Sequence, residues 1–385
     1  MQQLLKLSTA WIITLITIIF LATQFISHRP DFAYTSINHF NPQLPTLLQQ
    51  TLVPLANFDG VHYIQIAGEG YVDQGRFLPL YPGLLAMPTQ LLQAKTFGVT
   101  QLLLSLAISW SIFAGMLWVW HKLFSLDFKQ SQVFWTLLFF ISFPTSFFLI
   151  SIYSEALFLL LAGVTFLLAR KGKWGWALLP TALLTITRLT GFVMIPTLAF
   201  MYWQVHNFEN PLLLVRKHFW RLASFSLPIV PLLIYSYFNY QKWGDWLYFV
   251  NAHGALGNSR STSGLVFPLV TLYRYFKIIT SLSPTLHEFK VAIIELLSLF
   301  AICGLFVWSA IKKIRLEYLL FSGLAISIPI LSGTLTGFPR YCLVALPLLG
   351  TLSTLPKNWK VSLIATGFIA QAALLTLHTS GYFIA

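Results

Sequence analysis

The sequence predicts an all-α polytopic membrane protein with about eleven transmembrane helices, and three observations carry that expectation. Of its 385 residues, 57% are hydrophobic and only 9% are charged, with a mean hydropathy of +0.73. Apolar windows of about 20 residues, the length that crosses a hydrocarbon core, recur along the chain. Lys and Arg, which give a net charge of +13, gather in short clusters between those windows. That pattern writes membrane topology; it is not a nucleic-acid signal. No polar stretch is long enough for a separate globular unit, so residues 1–385 are expected to form a single integral-membrane domain.

Leu4 to Phe25 is an apolar run behind Lys6. It is too long for a signal peptide and lacks a small-residue cleavage site, so it reads as a first span with a cytoplasmic N-terminus. Residues 27–99 follow as a long extracytoplasmic loop, with turn chemistry at Asn41 to Pro45 and a short helix over Pro45 to Ala56. Leu78 to Leu92 is apolar but carries Pro79, Pro82 and Pro88, and is expected to lie on the membrane surface. The remaining runs are Val99–Trp120, Gln132–Ile150, Glu155–Ala169, Trp176–Thr187, Gly191–Trp203, Leu222–Tyr240, Val291–Ile311, Tyr318–Leu335, Tyr341–Leu355 and Val361–Thr379.

Charge parity supports this division. With Leu78–Leu92 kept out of the count, the basic connections at Lys122 and Lys129, Arg170 to Lys173, Arg216 to Arg221, Lys312 to Arg315, and Lys357 and Lys360 all face the cytoplasm. A crossing at Leu78–Leu92 would turn every one of them outward. The same parity puts the 27–99 loop, the Tyr153–Glu155 turn, Arg188, the 241–290 loop and Gly337–Tyr341 together on the other side. All acidic clusters are then expected to face that one compartment.

The stretch N-F-D-G-V-H-Y-I-Q-I-A-G-E-G-Y-V-D-Q-G-R-F-L-P-L-Y-P, Asn57 to Pro82, holds three of the eleven acidic residues. They are Asp59, Glu69 and Asp73, with His62, Arg76 and four glycines among them. Ionisable groups this dense beside apolar runs mark a functional site; the bland alternative is a solvated loop. Arg188 interrupts the apolar T-I-T-R-L-T-G, where an arginine costs about 2.5–3.5 kcal/mol to insert. It is either ion-paired and structural or an anion site at the membrane surface. Arg340 can anchor a helix end, Glu155 can complement a helix dipole, and His62 can pack on Tyr63. Trp243, Trp246, Tyr248 and Phe249 form an interfacial belt.

Cys303 and Cys342 lie in apolar runs and make neither a disulfide framework nor a metal motif. No HExxH, Walker A or GxGxxG pattern is present. The chemistry that fits is narrow. An extracytoplasmic carboxylate can take a proton from an attacking hydroxyl, and arginines at the bilayer surface can stabilise a departing phosphate. Short cytoplasmic loops leave no room for a nucleotide, so a transferase would use a membrane-resident, lipid-linked donor, which points to a polyprenyl-phosphate sugar. Asp59 is the candidate base, with Asn57 and Gly60 letting the backbone turn to present it. Glu69 and Asp73 are more solvated competitors, and either could hold a divalent metal with Asp59. No metal is required, because a lone carboxylate suffices for base work.

The run F-D-G-V-H-Y-I-Q-I-A-G-E-G-Y followed by F-L-P-L-Y-P resembles the signature of the second mannosyltransferase of glycosylphosphatidylinositol-anchor assembly and its prokaryotic relatives. Further matches are F-P-T-S-F-F and Y-S-E-A-L-F (Phe143 to Phe158), T-R-L-T-G (Thr187 to Gly191) and P-R-Y-C-L-V-A-L-P (Pro339 to Pro347). They occur in family order over most of the chain. The resemblance implies a GT-C-like fold whose first extracytoplasmic loop carries the catalytic acid and surface helices. It also implies inverting transfer of mannose from a polyprenyl phosphate to a lipid or glycan acceptor. Asp59 matches the motif aspartate, His62 and Tyr63 the H-Y pair, Glu155 the Y-S-E glutamate, and Arg340 with Tyr341 the R-Y pair. Arg76 and Arg188 join them as expected donor or acceptor contacts. Phe58 stands where the family usually has tryptophan. The compact chain, without a retrieval signal over Gly381 to Ala385, is expected to be a prokaryotic relative in the cell membrane; a eukaryotic one would sit in the endoplasmic reticulum. The alternatives are transfer of another lipid-linked sugar, a lipid-linked sugar flippase without a base, and a noncatalytic scaffold.

Overall fold

A computed structural model describes residues 2–29, 35–252 and 264–384. The portions of the expected 27–99 and 241–290 loops at 30–34 and 253–263 lie outside the described residues. Among those described, every regular element is helical. Helix α1 (Gln2–Phe25) leads to α2 (Thr46–Thr51), a 3-10 turn at Val53–Ala56, α3 (Asp59–Glu69) and α4 (Leu80–Leu91). Then follow α5 (Val99–Phe124), α6 (Gln130–Ile141), α7 (Glu155–Arg170), α8 (Trp174–Thr185) and α9 (Met194–Val205). The second half comprises α10 (Pro211–Ser224), α11 (Val230–Trp243), α12 (Tyr248–Asn251), α13 (Pro268–Ser281), α14 (His287–Ile311), α15 (Leu316–Leu331), α16 (Phe338–Tyr341) and α17 (Lys357–Thr379).

Among the described residues, five stretches are long and apolar enough to cross a membrane: Gln3–Phe25, Val99–Phe124, Pro211–Trp243, His287–Ile311 and Lys357–Thr379. The other expected runs form shorter helices, and the sequence gives the reason. The run beginning at Gln132 stops being helical at Ile141, because Pro144 disfavours helix in the residue before it. The run from Tyr341 becomes a 3-10 segment over Cys342–Thr354 with Pro347 inside. The Leu78–Leu92 segment is the twelve-residue α4. At 1.5 Å per residue it is about 18 Å long, short of the roughly 30 Å hydrocarbon core.

The polar stretch after Asn57 is not a solvated loop over its first half. Val61, Ile64 and Ala67 recur at helical spacing and are fully buried in α3, so the apolar period outweighs the helix-weakening glycines. Helix α3 packs on α4, and α4 on α5. Helix α7 lies between α5 and α8. Gly163 permits the close approach to α5: a Cβ there would stand 2.9 Å from Val119.

The two ends of α7 carry two ion clusters. Glu155 begins it and Arg170 ends it, about 22 Å apart by the helical rise. At the Arg170 end, Asp127 receives both guanidinium nitrogens of Arg170, at 3.1 and 2.9 Å. Asp127 also accepts from Arg315 at 3.2 Å and from the Tyr318 hydroxyl at 2.9 Å. Arg315 donates to the buried Glu317 at 2.5 Å. The sequence reading put the acidic clusters on the Glu155 side and did not assign Asp127 or Glu317, which sit at the opposite end. Asp127 and Glu317 neutralise basic residues at the end opposite Glu155, and their mutual attraction offsets part of the cost of desolvating the buried charges.

Candidate active site

The site is built on the turn into α3. Phe58 adopts φ 57° and ψ −114°, a backbone conformation that costs a side-chain-bearing residue about 1–3 kcal/mol. Its surroundings hold it there. The Phe58 N–H donates to the Thr35 carbonyl at 3.0 Å, and the Tyr153 hydroxyl donates to the Asn57 carbonyl at 2.8 Å. The Asn57 amide donates to the His378 carbonyl at 3.1 Å, and the Phe58 ring packs on His378 at 5.1 Å. The turn is thus made by Phe58, not by Gly60 as its composition suggested. Gly60 lies inside α3, and a Cβ there would stand 3.3 Å from the Ile152 carbonyl. The result sets Asp59 in the first turn of α3, where the helix dipole favours a carboxylate.

From Asp59 the charges alternate through the site. Arg340 Nη1 donates to Asp59 Oδ2 at 2.6 Å. Arg340 Nε lies 3.3 Å from Glu155 Oε1, and that same oxygen accepts from Arg188. Aromatic rings fix both guanidiniums: Arg188 lies 5.1 Å from the Tyr341 ring centroid, and Arg340 lies 5.3 Å from that of Tyr153. Arg188 is carried on extended backbone (φ −151°, ψ 147°) between the end of α8 and the 3-10 turn Leu189–Val193. The local non-helical geometry is what lets an arginine leave an apolar run and reach Glu155.

Glu155 is 4% exposed and does not line the cavity. It stands behind the two arginines as their shared counterion. Removing one partner of a buried ion pair typically costs about 3–5 kcal/mol. Glu155→Ala should therefore unfold at a markedly lower temperature in detergent, with Glu155→Gln between it and wild type. A Glu155→Ala melting temperature equal to wild type would refute the counterion role.

The arginines open onto a cavity of about 990 Å³. Its polar wall includes the charged Asp59, Arg76, Arg188 and Arg340, with His62 among them. Ile278, Leu282, Val291, Ala292 and Ile328 contribute apolar surface. Tyr63 and Tyr341 also line it, and the buried Tyr63 hydroxyl donates to Ser154 at 3.2 Å. Arg76 Nη2 approaches His62 Nε2 at 3.3 Å. Burial lowers the His62 pKa, and the Arg76 charge lowers it further, so the ring is neutral at pH 7. Nε2 then accepts from Arg76 and Nδ1 carries the proton. That Nδ1 is buried with no hydrogen-bond partner among the described residues.

Burial alone would raise the Asp59 pKa, but Arg340 and then Arg76 outweigh it and hold the carboxyl well below its usual range. Asp59 is therefore ionised at neutral pH.

Glu69 and Asp73 do not join it. Both are exposed, neither lines the cavity, and Glu69 accepts from Gln65 on its own helix at 3.2 Å. Among the described residues no three His, Cys, Asp or Glu side chains come together to hold a metal.

One site residue escaped the sequence reading. Glu295, 3% exposed in α14, accepts from the Gly337 N–H at 2.9 Å and from the Tyr275 hydroxyl at 2.5 Å. Tyr275 in turn accepts from the Leu335 N–H at 3.0 Å. The pair fixes the turn at Gly337 (φ 77°) from which Arg340 is presented. The signal was available: a carboxylate inside the apolar run Val291–Ile311 is costly to bury without a purpose.

Comparison with known proteins adds a family. The family model described as Mannosyltransferase (PIG-V) matches residues 4–255. That range includes Asp59, His62, Glu155 and Arg188, and Arg340 lies beyond it. No curated protein and no solved structure matches the chain.

Proposed function

Because the chain belongs to the PIG-V mannosyltransferase family, we propose that it transfers mannose, with inversion, from a polyprenyl-phosphate donor to an extracytoplasmic lipid or glycan acceptor. The observation that carries this reading is the contact of Asp59 with Arg340 at 2.6 Å on the wall of a cavity that also offers apolar surface. A base and a phosphate-binding cation stand side by side, next to room for a lipid chain.

The acceptor hydroxyl attacks the anomeric carbon as its proton passes to Asp59. The bond from that carbon to the phosphate oxygen breaks, and polyprenyl phosphate leaves with the bonding pair. Arg340 and Arg188 meet the charge that grows on the phosphate. Arg340 is bound to Asp59 before the donor arrives, so a phosphate that draws Arg340 toward itself loosens the carboxylate and makes it more basic. Donor binding and base activation are coupled in this way. Single displacement needs no covalent sugar–enzyme intermediate and no metal.

The GT-C-like topology belongs to the same proposal: one membrane domain, about eleven crossings, a cytoplasmic N-terminus and the site outside. The long helices and the ion clusters at opposite ends of α7 support it. A reporter fused to the C-terminus should read as extracytoplasmic; a cytoplasmic reading would overturn the topology. The function itself is tested by incubating the purified protein with labelled polyprenyl-phosphate mannose and a membrane lipid extract, then identifying the product. Label that stays on the donor, in the presence of the full lipid extract, would refute transfer.

A further inference from the structure

Residues 70–79 join α3 to α4 without forming a helix or strand of their own, yet they carry Arg76, Phe77 and Leu78, which all line the cavity. Backbone polar groups in such a segment must find partners elsewhere. Here three side chains of α11 and one of α12 reach its carbonyls. Trp243 Nε1 donates to Val72 at 3.1 Å, and the Tyr248 hydroxyl donates to Asp73 at 3.4 Å. The Tyr235 hydroxyl lies 2.8 Å from the Gly75 carbonyl oxygen and 3.1 Å from that of Phe77. Lys242 donates to Tyr71. Within the segment, the buried Gln74 accepts from the Val72 and Asp73 N–H groups at 3.0 and 3.2 Å and donates to Gln65 of α3 at 2.8 Å.

The tightest fit is steric. The Trp243 and Tyr248 rings stack with centroids 4.4 Å apart and planes 15° from parallel, and the stack sits on Gly75. A Cβ there would stand 2.5 Å from Tyr248 Cδ1 and 2.9 Å from Trp243 Cη2. Gly75 does not have a positive φ, so the ring pair, not the backbone, excludes a side chain. Arg76 follows at once, with Nη2 3.3 Å from His62 Nε2 and its guanidinium carbon 4.8 Å from the Phe77 ring centroid. The aromatic residues that read as one interfacial belt in the sequence therefore divide. Trp246 stacks on Tyr240 at 4.8 Å, and both are exposed, as a belt requires. Trp243 and Tyr248 turn their polar atoms inward, to the backbone beside Arg76.

We propose that the Trp243–Tyr248 stack on Gly75 positions Arg76 at the cavity wall, so that Gly75, Trp243 and Tyr248 are positioning residues acting through that guanidinium. The proposal rests on the transferase reading only for its effect on turnover. Ordering an arginine on an irregular segment costs both side-chain and backbone entropy. Fixing the carbonyls on either side of it, at Gly75 and Phe77, meets that cost before a substrate binds.

The test reads His62, which lies against Arg76, by histidine-selective NMR on the full chain in detergent, with His62→Gln identifying its resonance. The charged groups that bear on His62 are Arg76, Asp59 and Asp73; burial and then Arg76 lower its pKa, and the two carboxylates raise it more weakly. Arg76→Gln removes the cation and should move the His62 titration to higher pH. Tyr248→Ala, which takes one ring from the stack, and Gly75→Ala, whose Cβ the rings exclude, should move it in the same direction. Tyr248→Phe keeps the ring and should leave it where the wild type has it. If the Gly75→Ala chain does not fold, Tyr248→Ala carries the test, since it inserts nothing. A His62 titration unmoved by Tyr248→Ala, or by Arg76→Gln itself, would overturn the proposal, as would a Tyr248→Phe shift equal to that of Tyr248→Ala. In the transferase, Tyr248→Ala should lower kcat/KM by up to about a hundredfold, the cost of misplacing a positioned group by about an ångström. In an Arg76→Gln background it should add nothing, because residues that act through one group are not additive. Losses that multiply would also overturn the proposal. The NMR readout needs no substrate, so label that stays on the donor while the His62 shifts appear refutes transfer and leaves the positioning standing.

Discussion

Asp59→Asn should lower mannosyl transfer by at least about a hundredfold while leaving expression, folding and donor binding near wild type. General-base catalysis typically contributes about 10²–10⁴ in rate, and the amide cannot take the acceptor proton. The substitution keeps the shape of the side chain and an oxygen that can accept from Arg340, whose Nη1 lies 2.6 Å from Asp59 Oδ2. Donor affinity should hold or improve, since the phosphate no longer competes with a carboxylate for Arg340. The expected signature is a fall in kcat without a rise in the donor KM, the pattern of an interaction made in the transition state. A flippase, which needs no base, would be little affected. Near-normal turnover of Asp59→Asn, together with inactive Glu69→Ala or Asp73→Ala, would move the base elsewhere.

How much of this was legible from sequence depends on the range of the interaction. The density of charge after Asn57 pointed to Asp59, because ionisable residues are scarce in so apolar a chain. The apolar windows gave the long helices α1, α5, α14 and α17 to within a few residues of their ends. What the windows could not give is where a run breaks: α6 ends at Ile141 and α8 at Thr185, set by proline and by the need to bring Arg188 to Glu155. Parity grouped Asp59, Glu155, Arg188 and Arg340 on one side but could not say which charges touch. Asp59 and Arg340 are 281 positions apart, and no local pattern reports such a contact. The glycines after Asn57 drew attention from the buried period of Val61, Ile64 and Ala67, and so concealed α3. Phe58 gave no warning at all, since a strained aromatic residue before a helix has no sequence signature. The strain is held by the Thr35, Tyr153 and His378 contacts, which come from three separate parts of the chain.

Arg340→Gln should reduce turnover by about 10²–10³-fold, the usual cost of losing a donor that stabilises developing negative charge, and should also weaken donor binding. A second effect separates this role from a merely structural one. In the wild type, burial pushes the Asp59 carboxyl up, and Arg340 and Arg76 together bring it well below its usual range. With Arg340 gone, burial is opposed chiefly by Arg76, so the carboxyl pKa rises. The base must be ionised to act, so a raised pKa leaves less of it competent as the medium becomes acidic. The acid limb of kcat/KM should therefore move to higher pH in Arg340→Gln. In the wild type, Asp59 should impose no acid limb through the mildly acidic range. Arg340→Lys keeps the charge but lacks the planar fork that reaches Asp59 through Nη1 and Glu155 through Nε, and should fall between the two in both rate and pH profile. Arg188→Gln retains the Asp59–Arg340 contact and should weaken the donor without moving the acid limb. Unchanged donor affinity and turnover in Arg340→Gln, or a pH profile that stays where the wild type has it, would break the proposed coupling between phosphate binding and the base.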